Sequence, residues 1–365
     1  MGEALLKNEE RALFALRELY RAYGYLPYKM SKFEEYDLYL RNKDFLVSDR
    51  IIAFTDTNGR LMALKPDVTL SIIKNTEDTA SEKRKVYYNE NVYRVSPRTG
   101  HYKEILQTGL ECIGDIDLYD LYETVLLAAK SLAAISEDFV LDISHLGILN
   151  AILESIGGDS AWKRSVTECI ASKNSHDLRL LCQELPEEQT QRLCSLIGIY
   201  GNGETVLPQL EALCQGDAER AALEELRALH GLLKSSPLAS RIRFDFSIVN
   251  HMSYYNGIVF RGFLSGISEG VLSGGRYDKL LHRMGKKGGA VGFALYLDLL
   301  EELSSKGSDY DVDVLVLYSS STPIAVLTET VNRLTAEGKC VSAQKTVPHQ
   351  LRYRSLVDLT KGEGQ

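Results

Sequence analysis

The chain has 365 residues, 44% of them apolar and 25% charged, ordinary proportions for a folded protein with room for two or three domains. Fifty acidic residues against 42 basic ones leave a net charge of −8, without the basic excess or basic stripe with which a chain grips nucleic acid. No apolar run approaches the roughly 20 residues needed to cross a bilayer. The opening MGEALLKNEERALF is charged and helical in pattern, unlike a secretory leader. Leu6 stands where a myristoylation signal requires Ser or Thr. Six cysteines (112, 169, 182, 194, 214 and 340) are scattered without a C-x-x-C pair. That pattern argues against a metal site and fits reduced, mostly buried thiols in a cytoplasmic protein.

Residues 4–23 read as an amphipathic helix, with Leu13, Leu16 and Tyr20 on one stripe and Gly24 where a C-terminal cap belongs. Residues 45–55 have strand character, and a turn at Thr57-Asn58-Gly59 leads to a second strand at 61–64. Leu64-Lys65-Pro66-Asp67-Val68-Thr69 then places a carboxylate and a hydroxyl on a turn stiffened by proline. Such a pair suits an ammonium group, and Asp67 equally suits the start of a helix through Ile72-Ile73. Residues 85–114 form the stretch around which the rest is arranged: two strands flanking the loop Ser96–Lys103. In the second strand Ile105, Gln107, Gly109, Glu111 and Ile113 point one way, and Leu106, Thr108, Leu110 and Cys112 the other. One side is apolar and the other faces something polar, with Gly109 leaving room for a ligand to approach the backbone. Arg94 has the reach for an anion.

A helix is predicted over 118–136 and a strand over 139–144, ending at His145, a structural hydrogen-bonding residue. Residues 147–235 read as several helices separated at Gly157-Gly158, Pro186, Gly201-Asn202-Gly203 and Pro208, with nothing catalytic among them. Strands return at 243–247. His251-Met252-Ser253-Tyr254-Tyr255-Asn256-Gly257 sets paired tyrosines beside a glycine, a combination that admits and contacts a flat ring. Ser273-Gly274-Gly275-Arg276-Tyr277-Asp278 follows, then a Gly-rich turn into a helix over 288–300. Residues 312–346 read strand, helix, strand, and a polar tail closes the chain.

Five of these stretches together resemble histidyl-tRNA synthetases, of the class II aminoacyl-tRNA synthetases. Tyr93-Arg94 with Gln107-x-Gly109-x-Glu111 is similar to their motif 2. Lys65-Pro66-Asp67-x-Thr69 resembles an R-P-[E/D]-x-T element, with Lys65 replacing the arginine. Residues 251–257 and 273–278 resemble the two histidine-specific motifs, and 288–300 resembles motif 3. The resemblance implies an α+β fold: a class II synthetase-like antiparallel sheet flanked by helices, formed by residues 1–146 and 240–303. It further implies a helical insertion at 147–239, and at 308–365 a small α/β segment too short for a full anticodon-binding domain. Self-dimerisation through the first helix and strand is also implied. The histidine-binding set carried over is Asp67, Thr69, Gln107, Glu111, Tyr254 and Tyr255, with Arg94 as a possible phosphate contact.

The departures matter as much. Two of the three phosphate-clamping arginines of the synthetases align with Asn250 and Leu299. Losing two such cations should cost about 10³-fold or more in rate. Ser253 and Asn256 replace an Asp and a Thr beside the tyrosines. A retained pocket without the chemistry resembles the regulatory subunits of ATP phosphoribosyltransferase, synthetase paralogues of histidine biosynthesis. For this chain that resemblance implies no catalytic residue, metal or cofactor, and no tRNA or membrane partner. It implies a hetero-oligomer with a short catalytic subunit, which the chain activates and through which histidine feeds back. A stand-alone histidine-binding module and an active histidyl-tRNA synthetase remain the alternatives.

Overall fold

The computed structural model describes residues 7–46, 50–77, 82–95, 99–249, 254–303 and 310–360. Part of the loop after Arg94, and Asn250 and Ser253, lie outside the described residues. The chain divides into two compact units, residues 9–302 and residues 303–365 together with 1–8.

Helix α1 (Asn8–Ala22) buries Ala12, Leu16 and Tyr20. It ends as expected at Gly24, whose φ of +79° suits a residue without a Cβ, while the Tyr25 N–H donates back to the Tyr20 carbonyl at 3.1 Å. Strand β1 (Leu26–Pro27) follows. Strand β2 (Phe33–Glu35), helix α2 (Tyr36–Arg41), and strands β3 (Ala53–Thr55) and β4 (Leu61–Leu64) come next, the three strands forming a small antiparallel sheet. The strand expected from residue 45 begins only at Ala53, because Phe45 sits in a short 3-10 turn, Lys43–Phe45, with its ring buried. Helix α3 (Thr69–Lys74) buries five of its six residues.

The hairpin of β5 (Arg84–Val95) and β6 (Tyr102–Gly114) pairs in register from Arg84↔Ile113 to Val95↔Tyr102. Helix α4 (Leu118–Ala133) starts at an Asp117 capping box and is followed by β7 (Phe139–His145). Then come α5 (Leu146–Ile156), α6 (Ser160–Ala171), α7 (Ser175–Leu181), α8 (Glu187–Gly198), β8 (Tyr200–Gly201), α9 (Gly203–Leu213) and α10 (Asp217–Leu233). Gly157 caps α5, and Pro186 and Asn202 precede α8 and α9 as expected. Pro208 does not break the chain: it lies inside α9, on the exposed side one turn after exposed Glu204, so the carbonyl it leaves unpaired faces water.

Strands β9 (Ile242–Asp245), β10 (Ile258–Leu264) and β11 (Leu272–Arg276), helix α11 (Asp278–Arg283) and strand β12 (Gly289–Tyr296) complete this unit. The expected Gly-rich turn into a helix over 288–300 is corrected. Residues 289–296 are a strand between β6 and β11, and only 297–302 coil, as a 3-10 turn. The glycines signalled close packing against neighbouring strands rather than a turn. The large sheet has nine strands in the order β1-β5-β6-β12-β11-β10-β7-β9-β8. It is antiparallel except at β1/β5 and β7/β9, which is the α+β architecture expected. Helix α4 lies over β7, β10, β11 and β12, and α10 packs on α5 and α4.

In the second unit, β13 (Val312–Leu317), α12 (Ile324–Ala336), β14 (Val341–Gln344) and β15 (Tyr353–Asp358) build a three-stranded parallel sheet in the order β14-β13-β15. Leu327 and Leu334 of α12 pack on Val314 and Val316. The strand β15 escaped the sequence reading. Among the described residues no helix is long and apolar enough to cross a membrane.

Candidate functional site

The register of the central sheet carries the site. Across four strands Tyr88 pairs with Gly109, Gly109 with Ala294, and Ala294 with Ser273; one row away Glu111 pairs with Gly292, and Gly292 with Gly275. Residues opposite one another share a face, so this face offers Tyr88, Gln107, Glu111, Tyr296 and Ser273 above a floor of small residues. Residues 67–69 and 254–255 close over it. The resulting cavity encloses about 60 Å³, a small space walled by polar and aromatic side chains. Asp67, Thr69, Arg94, Gln107, Glu111, Tyr254 and Tyr255 all line it, so the structure brings together in one cavity every site residue named from the sequence.

Glu111 is the centre of the polar network. The Thr69 hydroxyl donates to its Oε1 at 2.7 Å and the Tyr277 hydroxyl to its Oε2 at 2.5 Å. Only 2% of Glu111 is exposed, and burial, opposed by those two hydrogen bonds and reinforced by Asp67, pushes its carboxyl up to about 8. Burial also raises Asp67, against the pull of Arg94 and of the Leu70 N–H, which donates to Asp67 Oδ1 at 2.9 Å. Asp67 thus tethers the first turn of α3 from one residue before the cap, which falls at Val68, and also lines the cavity. Burial disfavours the negative charge on both carboxyls, and a cationic guest would offset that cost.

Gln107 is 2% exposed, and its Nε2 has no hydrogen-bond partner in the structure. A buried amide donor at a cavity wall is costly unless a guest accepts from it. Tyr254 and Tyr255 stand edge to face with ring centroids 4.6 Å apart, and Tyr254 also meets Tyr277 at 5.5 Å and Phe45 at 6.4 Å. An aromatic wall of this kind contacts a flat ring. Arg94 is engaged within the protein: its Nε–H donates to the Pro66 carbonyl at 2.8 Å. Lys65 does not line the cavity; it is fully buried and pairs with Glu90 at 2.9 Å.

The polar side of β6 is closed from water, since β6 is a central strand whose last eight residues are all buried. One expectation needs correction. Gly109 does not admit a ligand to the backbone: a Cβ there would meet the Tyr88 hydroxyl at 2.6 Å and the Phe293 carbonyl. The Tyr88 ring lies across the glycine and presents itself to the cavity instead. Gly292 makes room instead for the Glu111 carboxylate, with which a Cβ there would collide.

Tyr88, Ser273, Tyr277, Tyr296 and Phe45 line the cavity without having been named as site residues. Tyr277 stood inside a motif already singled out, and its spacing from Gly275 was the available signal. Tyr88 and Tyr296 depend on strand register, which the sequence does not print. Leu299, expected from the resemblance to replace a phosphate-binding arginine, lies in the 3-10 turn that follows β12. Beside it Asp298 is an acid raised by burial, with an unpartnered Oδ1.

A family model for histidyl-tRNA synthetase matches residues 1–300. The ATP phosphoribosyltransferase regulatory subunit of Clostridium kluyveri is 31% identical over 318 residues, covering 83% of this chain and 81% of that protein. The chain belongs to the ATP phosphoribosyltransferase regulatory subunits, built on the histidyl-tRNA synthetase fold. Among solved structures, an ATP phosphoribosyltransferase regulatory subunit/histidyl-tRNA synthetase from Bacillus halodurans superposes with a TM-score of 0.78 at 24% identity, over 99% of this chain and 97% of that one. A chain of the ATP phosphoribosyl transferase complex from Thermotoga maritima superposes with a TM-score of 0.63 at 18% identity, over 79% and 97%. These two likenesses concern the fold.

Proposed function

We propose that this chain is a non-catalytic regulatory subunit that binds histidine in the cavity around Glu111 and joins a short ATP phosphoribosyltransferase catalytic subunit. The chain activates that subunit and conveys feedback inhibition by histidine. The observation that carries the ligand is the donor and acceptor set of one buried cavity. Asp67 and Thr69 suit an α-ammonium group, and Glu111, Gln107 and the Tyr254–Tyr255 pair suit an imidazole. Against ATP chemistry stands the neutral Leu299, next to the acidic Asp298, where the resemblance to the synthetases calls for a phosphate-binding arginine. A triphosphate needs cations placed where its charge develops. The Thermotoga maritima complex supports the hetero-oligomer. We also propose self-association through the first helix and strand, and a cytoplasmic location.

By linkage, histidine inhibits only by binding differently to the active and inactive states of the complex. The test is a transferase assay of the short catalytic subunit alone, with this chain, and with this chain plus histidine. Activity that appears on mixing and falls with histidine is the expected result. Glu111 and Tyr255 substitutions should abolish the inhibition and spare the activation. Two proteins that neither associate nor change each other's activity would overturn the proposal. Histidine binding without any effect on a transferase would then favour a stand-alone binding module, and histidine-dependent ATP–pyrophosphate exchange would favour a synthetase.

A further inference from the structure

The helices between β7 and β9 contain no residue that lines the cavity, yet one of their side chains reaches the segment that does. Asn256 directly follows the tyrosine pair. Its backbone N–H donates to the Arg276 carbonyl at 3.0 Å, and its Nδ2 donates to Asp278 Oδ2 at 3.3 Å. Arg276 runs alongside Gly257, where a Cβ would meet its Cδ at 3.3 Å. Its Nε–H donates to Asp278 Oδ2 at 2.7 Å and its Nη1 to Glu225 Oε1 at 3.2 Å. Glu225 belongs to α10, and its other oxygen, Oε2, lies 2.8 Å from His145 Nε2.

The direction of that last bond follows from the structure. The Gly147 N–H donates to His145 Nδ1 at 3.1 Å, so Nδ1 presents its lone pair and Nε2 carries the hydrogen donated to Glu225. The hydrogen bond from His145, aided by Arg276, holds the Glu225 carboxyl below the usual carboxylate range. Both oxygens of Glu225 are therefore used, one toward the end of β7 and one toward the motif that carries Tyr277.

We infer that Glu225 is a positioning residue for the ligand cavity: through Arg276, Asp278 and Asn256 it fixes the backbone that presents Tyr254 and Tyr255, and so ties α10 to ligand affinity. The inference rests on the reading of the cavity as a histidine site. Arg276 and Asp278 thereby acquire a role within their motif. Arg276 holds the tyrosine segment from behind while the next residue, Tyr277, binds Glu111.

The test is calorimetric titration of the full chain with L-histidine, with thermal midpoints measured on the same samples. Glu225→Ala should weaken binding about tenfold, the lower end of what losing a hydrogen bond to a charged group costs. Glu225→Gln, with one acceptor oxygen for two donors, should fall between, and it serves if the alanine variant does not fold. Glu224→Gln, at an exposed neighbour paired with Arg227 at 3.4 Å, should leave affinity unchanged. A role confined to holding the fold together would lower the thermal midpoint without changing affinity. In an Arg276→Ala background, Glu225→Ala should cause no further loss of affinity, because the path is already cut. Unchanged affinity in folded Glu225→Ala or Glu225→Gln, or full additivity with Arg276→Ala, would overturn the inference alone. Failure of the unaltered chain to bind histidine would overturn the reading of the cavity and the inference with it.

Discussion

Replacing Glu111 by glutamine tests the electrostatics of the cavity without any ligand. In the folded protein burial is the main cause that takes this carboxyl from 4.5 up to about 8. Between those two values the folded chain keeps a proton that the unfolded chain has released. Stability therefore falls as pH rises across this window: the contribution is complete below about 4.5 and is lost as pH passes through about 8. One such group gives a slope of about 1.4 kcal/mol per pH unit, or about 3 kcal/mol between pH 5.5 and 7.5. Glutamine keeps the shape and titrates nowhere in that range. Asp67 is also raised by burial, and Asp142 is pushed up to about 6. Both are present in the two proteins and drop out of the difference to first order. Urea denaturation of each protein at several pH values should show Glu111→Gln gaining about 3 kcal/mol on the unaltered chain between about pH 5.5 and 7.5. Parallel stability curves would mean that Glu111 is already ionised, and the burial argument would be refuted.

Other substitutions probe neighbouring features. Gly109→Ala should cost about 1–3 kcal/mol by driving a methyl group into Tyr88 and the Phe293 carbonyl; a neutral result in urea denaturation would show that the sheet has slack there. Lys65→Met should cost about 3–5 kcal/mol by stranding Glu90, whose side chain is 14% exposed, read by the same method. Thr69→Val should cost about 1 kcal/mol through loss of the 2.7 Å hydrogen bond to Glu111. Because that bond lowers the Glu111 carboxyl, the variant should also move its titration upward, as followed by NMR of labelled glutamate side chains.

Much of the site was legible because its residues belong to short local patterns. Asp67 and Thr69 share one turn, Gln107 and Glu111 one face of one strand, and Tyr254 and Tyr255 one dipeptide. The structure then placed the three groups around one cavity, a juxtaposition no periodicity supplies. Where the reading erred, the cause was a neighbour. Gly109 looked like an opening because a strand seen alone has no partner, and the register with Tyr88 fills the gap. Residues 289–296 looked like a turn because glycine is locally permissive, yet their small side chains accommodate Glu111 and the adjoining strands.

Alternation, helical spacing and turn residues by themselves determined the main hairpin, the helices between β7 and β9, and the residue types available to a ligand, while the α+β class followed from the resemblance to the synthetases. The expected replacement of phosphate-binding cations at Asn250 and Leu299 rests likewise on the resemblance to the synthetases. Tertiary structure alone decided which faces of β6 lose their water, which glycine makes room for the carboxylate, and that Tyr88 and Tyr277 join the site. It alone connected Glu225 on α10 to the tyrosine segment. The division has one physical reason: propensity and pattern act over a few residues, whereas burial, register and proton affinity are set by groups distant in the chain that share one low-dielectric cavity.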